Sequence, residues 1–165
     1  MERYDYRNKF VLGFDPSGAF AESGKGTTGW NVMCCRTKEI MAHGEISAKD
    51  FKRAEEYWFE HRELIRRMFK QYKGLGITIE SYRLYAKQAQ AQINSSFETS
   101  QLIGYLRMVA YEYGIDVRMH TAQLVKTRCT DEILAMKLLL PENISGHILD
   151  SIRHSYYFSL FECFY

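Results

Sequence analysis

Two short apolar runs in this chain each end on a carboxylate, and few arrangements of strands tolerate that pattern. Residues 9–15 read KFVLGFD, a strand-forming run that stops at Asp15 and passes into the turn residues Pro16, Ser17 and Gly18. Residues 75–80 read LGITIE, a second apolar run that stops at Glu80. A carboxylate at the end of a buried strand loses hydration, so its charge must be compensated by a partner or by a cation. Taken alone, each acid has an ordinary explanation: Asp15 could cap a turn, and Glu80 could pair with a lysine. Taken together, they predict strand ends gathered around one charged site.

The rest of the pattern arranges these strands. Residues 27–35 (TTGWNVMCC) and 39–46 are of strand-forming types, and the short link at 36–38 makes them a hairpin, so three antiparallel strands open the chain. From 48 to 72, Phe51, Ala54, Tyr57 or Trp58, Leu64 or Ile65, and Met68 recur every three to four residues with charges between them. This spacing predicts a long amphipathic helix, capped by Ser47 and ended by Gly74 and Gly76. Residues 81–96 have weak periodicity and read as a loop or frayed helix, whereas Leu102, Ile103, Leu106, Val109 and Ala110 mark a helix over 99–113. A fifth strand is expected over 115–119, with helices over 131–140 and from 145 or 146 to about 161. The order predicts an α/β fold, with a mixed five-stranded sheet and helices on both faces, forming one domain over 1–165.

Several classes fall away on composition. The longest purely apolar stretches, such as 138–140, are far too short to cross a bilayer, and the charged residues before the first strand do not resemble a secretory leader. A cytoplasmic protein is expected. Cys34, Cys35, Cys129 and Cys163 include an adjacent pair and no CxxC spacing, which reads as free thiols rather than a zinc or disulfide framework. A net charge of +2 does not by itself announce nucleic acid. The basic residues of the long helix (Lys52, Arg53, Arg62, Arg66, Arg67, Lys70 and Lys73) alternate with Glu55, Glu56, Glu60 and Glu63, as on a solvated, ion-paired face. The stretch GAFAESGKG at 18–26 has five residues between its outer glycines and Gly26 where a phosphate loop needs Ser or Thr, so nucleotide binding there is rejected.

A third acid belongs with the first two. His147 and Asp150 are three residues apart in the first turns of the last expected helix, so both project from one face; the plainer reading is a helix N-terminal cap. Water attacks a phosphodiester at neutral pH when two divalent ions, roughly 4 Å apart, activate it and relieve charge on the attacking and leaving oxygens. Hard ions such as Mg²⁺ prefer oxygen ligands, so such chemistry requires carboxylates from distant parts of the chain at one end of a sheet. Asp15, Glu80 and Asp150 are spaced for this.

At these residues the chain resembles the RuvC family of Holliday junction resolvases, which have a ribonuclease H-like fold. The resemblance is carried by VLGFDPSG (11–18), TGW (28–30), ITIES (77–81), SQLIGYLRMVAYEYGIDV (100–117), VKT (125–127), DEILAMKLLLP (131–141) and HILDSI (147–152), in the family's order and at similar spacing. It implies a crossover junction endodeoxyribonuclease, a homodimer that nicks two opposed strands of a four-way junction with Mg²⁺, or Mn²⁺ in its place. It implies that Asp15, Glu80, His147 and Asp150 hold two ions per site: Asp15 bridging, Glu80 and Asp150 outer ligands, and His147 a ligand or the group orienting the attacking water. It also implies that Lys126 lies near the scissile phosphate and that the 99–113 helix joins the dimer interface.

The chain departs from the family in a longer loop over 16–27 and in the segment after Glu80, where Tyr82, Arg83, Tyr85 and Lys87 suit stacking on unpaired bases and contacts to phosphates, or form a plain polar loop. A second family lysine has no obvious counterpart, and Arg128 is the nearest basic residue. His154, one helical turn beyond Asp150, could contribute from the same face, but a histidine among Tyr156, Tyr157 and Phe158 reads as structural and is left out of the catalytic set. The alternatives are a nuclease of the same fold acting on flaps or other branched phage DNA, and a branched-DNA binding protein without catalysis.

Overall fold

Strand β1 (Phe10–Asp15) alternates between two apolar layers: Leu12 and Phe14 enter one and Val11 the other, because successive side chains leave opposite faces of a strand. The computed structural model describes residues 8–20, 25–82 and 97–163. β1 is joined by β2 (Thr27–Cys34), β3 (Ile40–Ser47), β4 (Leu75–Ser81) and β5 (Val117–Thr121) in one sheet of order β3-β2-β1-β4-β5. β1, β2 and β3 pair antiparallel, whereas β4 runs parallel to β1 and β5 parallel to β4. This is the expected mixed α/β sheet.

Helices α1 (Ala54–Gln71) and α2 (Glu98–Glu112) cover one face, packing Tyr57, Leu64, Ile65, Leu102 and Leu106 on Leu12, Phe14, Ile77 and Ile79. On the other face lie α3 (Ala122–Arg128), α4 (Asp131–Lys137) and α5 (Gly146–Phe161). Leu134, Ile148, Ile152 and Phe158 pack there on Val11 and Met33. Each such side chain contributes about 1.5–3 kcal/mol by leaving water.

Four local expectations need correction. Ser47 caps a separate 3₁₀ turn (Ala48–Asp50), and α1 begins only at Ala54, where the Glu56 carboxylate accepts the Lys52 and Arg53 amides, both at 3.2 Å. β5 starts two residues late because Gly114, at φ 64°, turns the chain back so that the Ile115 amide reaches the Ala110 carbonyl at 2.9 Å. α4 stops at Lys137, before the extended Leu138. α3 was not expected; Thr121 starts it by accepting the Leu124 amide at 3.3 Å. The segment over 83–96 lies outside the described residues.

Helix α5 approaches the sheet at backbone distance. A methyl group on Gly13 would sit 2.6 Å from the Ser151 carbonyl oxygen, and one on Gly29 would sit 2.2 Å from the His147 carbonyl carbon. The closeness lets the buried Asn31 amide on β2 donate to Ser151 Oγ at 3.1 Å and Ser155 Oγ at 3.0 Å. Gly29→Ala should therefore push α5 outward and lower stability by about 1–3 kcal/mol, as overpacking does. Gly146→Ala on the same helix, with nothing within 4 Å of the new methyl group, should be neutral or slightly stabilising. Urea midpoints of the two variants check this.

His61 on α1 is fully buried, with Nδ1 2.7 Å from the Tyr57 carbonyl and Nε2 2.9 Å from Thr28 Oγ1. A carbonyl only accepts, so Nδ1 carries the proton and Nε2 accepts from the threonine hydroxyl. Burial pushes the imidazole pKa down to about 4. The unfolded chain takes up this proton near pH 6.5 and the folded chain only near 4, so stability falls as pH drops through that window. Between pH 7 and 4.5 the group should account for about 2–3 kcal/mol of lost stability, and His61→Gln should remove that part of the urea-unfolding pH dependence.

Candidate active site

The sheet register brings the two strand-terminal acids together. Phe14 lies beside Ile79 on the parallel strands β1 and β4, so Asp15 and Glu80 follow on neighbouring strand ends. Leu12, Phe14, Ile77 and Ile79 occupy the layer under α1 and α2, which leaves Asp15 and Glu80 on the face covered by α5. Gly29, the cross-strand partner of Asp15, is where the start of α5 crosses the sheet. Ser145 caps that helix by accepting the Ile148 amide at 3.2 Å, and its hydroxyl donates to Glu45.

α5 then presents three polar side chains to the strand ends. His147 Nδ1 lies 3.0 Å from Asp15 Oδ2. Asp150, one turn on, is 3.4 Å from Lys126 Nζ through Oδ2 and 3.4 Å from Arg153 Nε through Oδ1. Arg153 is itself buried and donates to the Cys129 carbonyl and to Asp131, whose carboxyl it holds below the usual range. His154, a further turn along, places Nε2 3.1 Å from Glu80 Oε2. Its place one helical turn after Asp150 gives it the same face, and its contact with Glu80 corrects the structural reading that its aromatic neighbours favour.

The turn after Asp15 is clamped from both sides. The Ser17 amide donates to Thr28 Oγ1 at 3.2 Å, and the Tyr57 hydroxyl donates to the Ser17 carbonyl at 2.5 Å. The Gly18 amide donates to Thr99 Oγ1 at 3.1 Å and the Phe20 amide to Glu98 Oε2 at 3.0 Å, tying the turn to the start of α2.

Burial pushes the Asp15 carboxyl up to about 6; the His147 hydrogen bond opposes this, and the negative charges of Glu80 and Asp150 add to it. Glu80 and Asp150 are thus both within electrostatic reach of Asp15. Among the described residues, no three His, Cys, Asp or Glu side chains form a ready ligand group. The acids instead stand as pairs: Asp15 with His147, Glu80 with His154, and Asp150 with Lys126 and Arg153. Their donor chemistry suits a hard divalent cation, which would relieve the desolvated, mutually repelling carboxylates. Lys126 reaches this cluster from α3, Arg128 is exposed at the end of the same helix, and Tyr82 follows β4 at 37% exposure. Arg83, Tyr85 and Lys87 lie outside the described residues. The arginines of α1 pair with glutamates, as in Arg66 with Glu63 at 2.7 Å and Arg62 with Glu112 at 3.1 Å.

No protein-family model and no curated relative matches the chain. Among solved structures, it superposes on T. thermophilus RuvC in complex with Holliday junction substrate, with a TM-score of 0.74 and 14% identity over 94% of this chain and 95% of that one. The fold is that of RuvC. A second Thermus thermophilus RuvC structure gives a TM-score of 0.67 and 14% identity over 93% of this chain and 97% of that one. The large terminase nuclease from thermophilic phage G20c gives 0.50 and 10% over 93% and 84%. These neighbours share the ribonuclease H-like architecture, and the RuvC-like sheet is what sets Asp15 beside Glu80.

An Asp15 carboxylate held against desolvation and two negative neighbours weakens the cation-free fold. Asp15→Asn should therefore raise stability by about 1–2 kcal/mol at pH 8 in the presence of a chelator, read as a higher urea midpoint than wild type.

Proposed function

We propose that the chain is a divalent-metal-dependent endodeoxyribonuclease that resolves four-way DNA junctions by paired nicks. The observation that carries this is the side-by-side placement of Asp15 and Glu80 at parallel strand ends, with Asp150 close enough to help raise the Asp15 pKa to about 6, in a fold shared with RuvC. One of those RuvC structures holds a Holliday junction substrate, which supports branched DNA as the ligand here.

In this reading residues 1–165 act as one nuclease domain, and Asp15, Glu80, His147 and Asp150 hold two Mg²⁺ ions, with Mn²⁺ as a substitute. The chemistry such ions supply when bound is charge relief at the scissile phosphate and easier deprotonation of water at neutral pH. His147 donates from Nδ1 to Asp15, so Nε2 carries the lone pair that orients the attacking water or takes its proton. Its side chain is 51% exposed, which leaves it within reach of substrate. Lys126, 52% exposed beside Asp150, offers its ammonium to the phosphate, and Arg128 extends the positive charge along the backbone. Tyr82, Arg83, Tyr85 and Lys87 contact the DNA beyond Glu80 by stacking and phosphate pairing.

Paired nicks on opposed strands need two sites related by a two-fold axis, so the working form is a homodimer. The outward face of α2 supports this, with Met108 at 59% and Tyr111 at 79% exposure. The enzyme works in the cytoplasm, or in the host cytoplasm if phage-encoded. Among the described residues no helix is long and apolar enough to cross a membrane.

The test incubates purified protein and Mg²⁺ with labelled four-way junction, flap and linear duplex DNA, beside Asp15→Asn and Glu80→Gln. Symmetric junction nicks that fall by roughly 100-fold or more in both variants are expected, as the loss of several kcal/mol of transition-state stabilisation implies. Preferential flap or duplex cutting would keep the nuclease and replace its substrate. Junction binding without cutting would reduce the protein to a binding module.

A further inference from the structure

We propose that His154 is a positioning residue for Glu80, fixing one oxygen of its carboxylate so that the other faces the cation site. The inference deepens the nuclease reading and rests on it. His154 is 1% exposed, and its Nε2 is 3.1 Å from Glu80 Oε2. A carboxylate accepts, so Nε2 carries the hydrogen and Nδ1 is left as a lone pair. That Nδ1 is buried and has no hydrogen-bond partner among the described residues.

A packing role alone does not account for this imidazole. An aromatic hydrocarbon of similar size would fill the same space without burying an unsatisfied nitrogen, which costs stability in a layer built from Ile152, Tyr156 and Phe158. What a phenyl ring could not supply is the N–H aimed at Glu80. The Glu80 side chain is 25% exposed, so it is held at Oε2 from the protein side while part of it still reaches solvent. A second imidazole on the neighbouring strand does not take over the task. His120 pairs with Glu80 in the sheet register, yet its ring turns to Glu162 at 3.2 Å and Thr78 at 3.5 Å.

The arrangement makes α5 a rigid ruler for all three acids. At positions 147, 150 and 154 the helix touches Asp15 through His147, carries Asp150 itself, and touches Glu80 through His154. Because Gly13 and Gly29 bring α5 to backbone distance from the sheet, these contacts leave little freedom to the acids. Partners that orient ligating groups in this way typically set metal affinity by 10–100-fold.

The test measures Mn²⁺ uptake calorimetrically on the full chain without DNA, together with urea unfolding, for wild type, Asp15→Asn, His154→Phe, His154→Gln and His154→Asn. Gln places an amide N–H where Nε2 stands, Asn places it nearer Nδ1, and Phe removes it. The expected result is an apparent Mn²⁺ affinity weakened by about 10–100-fold in His154→Phe with the urea midpoint kept or raised, and restored to within a few-fold of wild type in His154→Gln. If the Phe variant does not fold, Asn must show the loss and Gln the recovery. Wild-type affinity in His154→Phe, or equal losses in Gln and in Phe or Asn, would overturn the positioning role while leaving the nuclease reading intact. Wild-type protein that takes up no more Mn²⁺ than Asp15→Asn would overturn the metal-dependent reading and this inference with it.

Discussion

Helix α5 lies against β1 and β2 at backbone contact distance, and the candidate site depends on that closeness. Two glycines make it possible, since a methyl group at either Gly13 or Gly29 would overlap the α5 backbone. Asn31 then exchanges solvent for the hydroxyls of Ser151 and Ser155, so the interface is fixed by directed hydrogen bonds as well as by apolar packing of Ile148 and Ile152. Apolar contact alone permits a helix to slide by a residue; paired polar groups do not.

Once that helix is seated, the electrostatics of the strand ends follow. Asp15 and Glu80 lose hydration beneath α5, and the helix returns partial compensation through His147 and His154. Asp150 is held by Lys126 from α3 and by Arg153 from its own helix, and Arg153 is in turn satisfied by Asp131 and the Cys129 carbonyl. The compensation is incomplete for Asp15, whose carboxyl stays well above its ordinary pKa. Residual strain of this kind marks a place where charge has been concentrated beyond what stability favours, a property common to sites that bind cations or act on phosphates.

The opposite face contributes rigidity rather than chemistry. Tyr57 and Thr28 grip both backbone groups of Ser17 under the first turn, and Thr28 is tied in turn to the buried His61. Glu98 and Thr99 hold Gly18 and Phe20 from α2. Asp15 is therefore presented by a turn fixed from β2, α1 and α2, which is how two helices remote from the acids help to place them.

Much of this was legible in the sequence because it is written in local periodicity. Apolar runs and strand-forming residue types marked the strands, three-to-four spacing marked α1 and α2, and an apolar run that halts at an acid pointed to Asp15 and Glu80. Spacing within one helix likewise joined His147 to Asp150. Boundaries that depend on competing hydrogen bonds were less legible: Ser47 caps a short turn because Glu56 claims the amides at the start of α1. Partnerships across the fold could not be read from spacing, since Glu80 and His154 are 74 residues apart and Lys126 and Asp150 are 24. Sequence thus determined which residues end strands and which share a helix face. Only the tertiary structure decided which acid meets which base, because that depends on how closely α5 settles on the sheet, and the two glycines that set the distance carry no side chain to announce it.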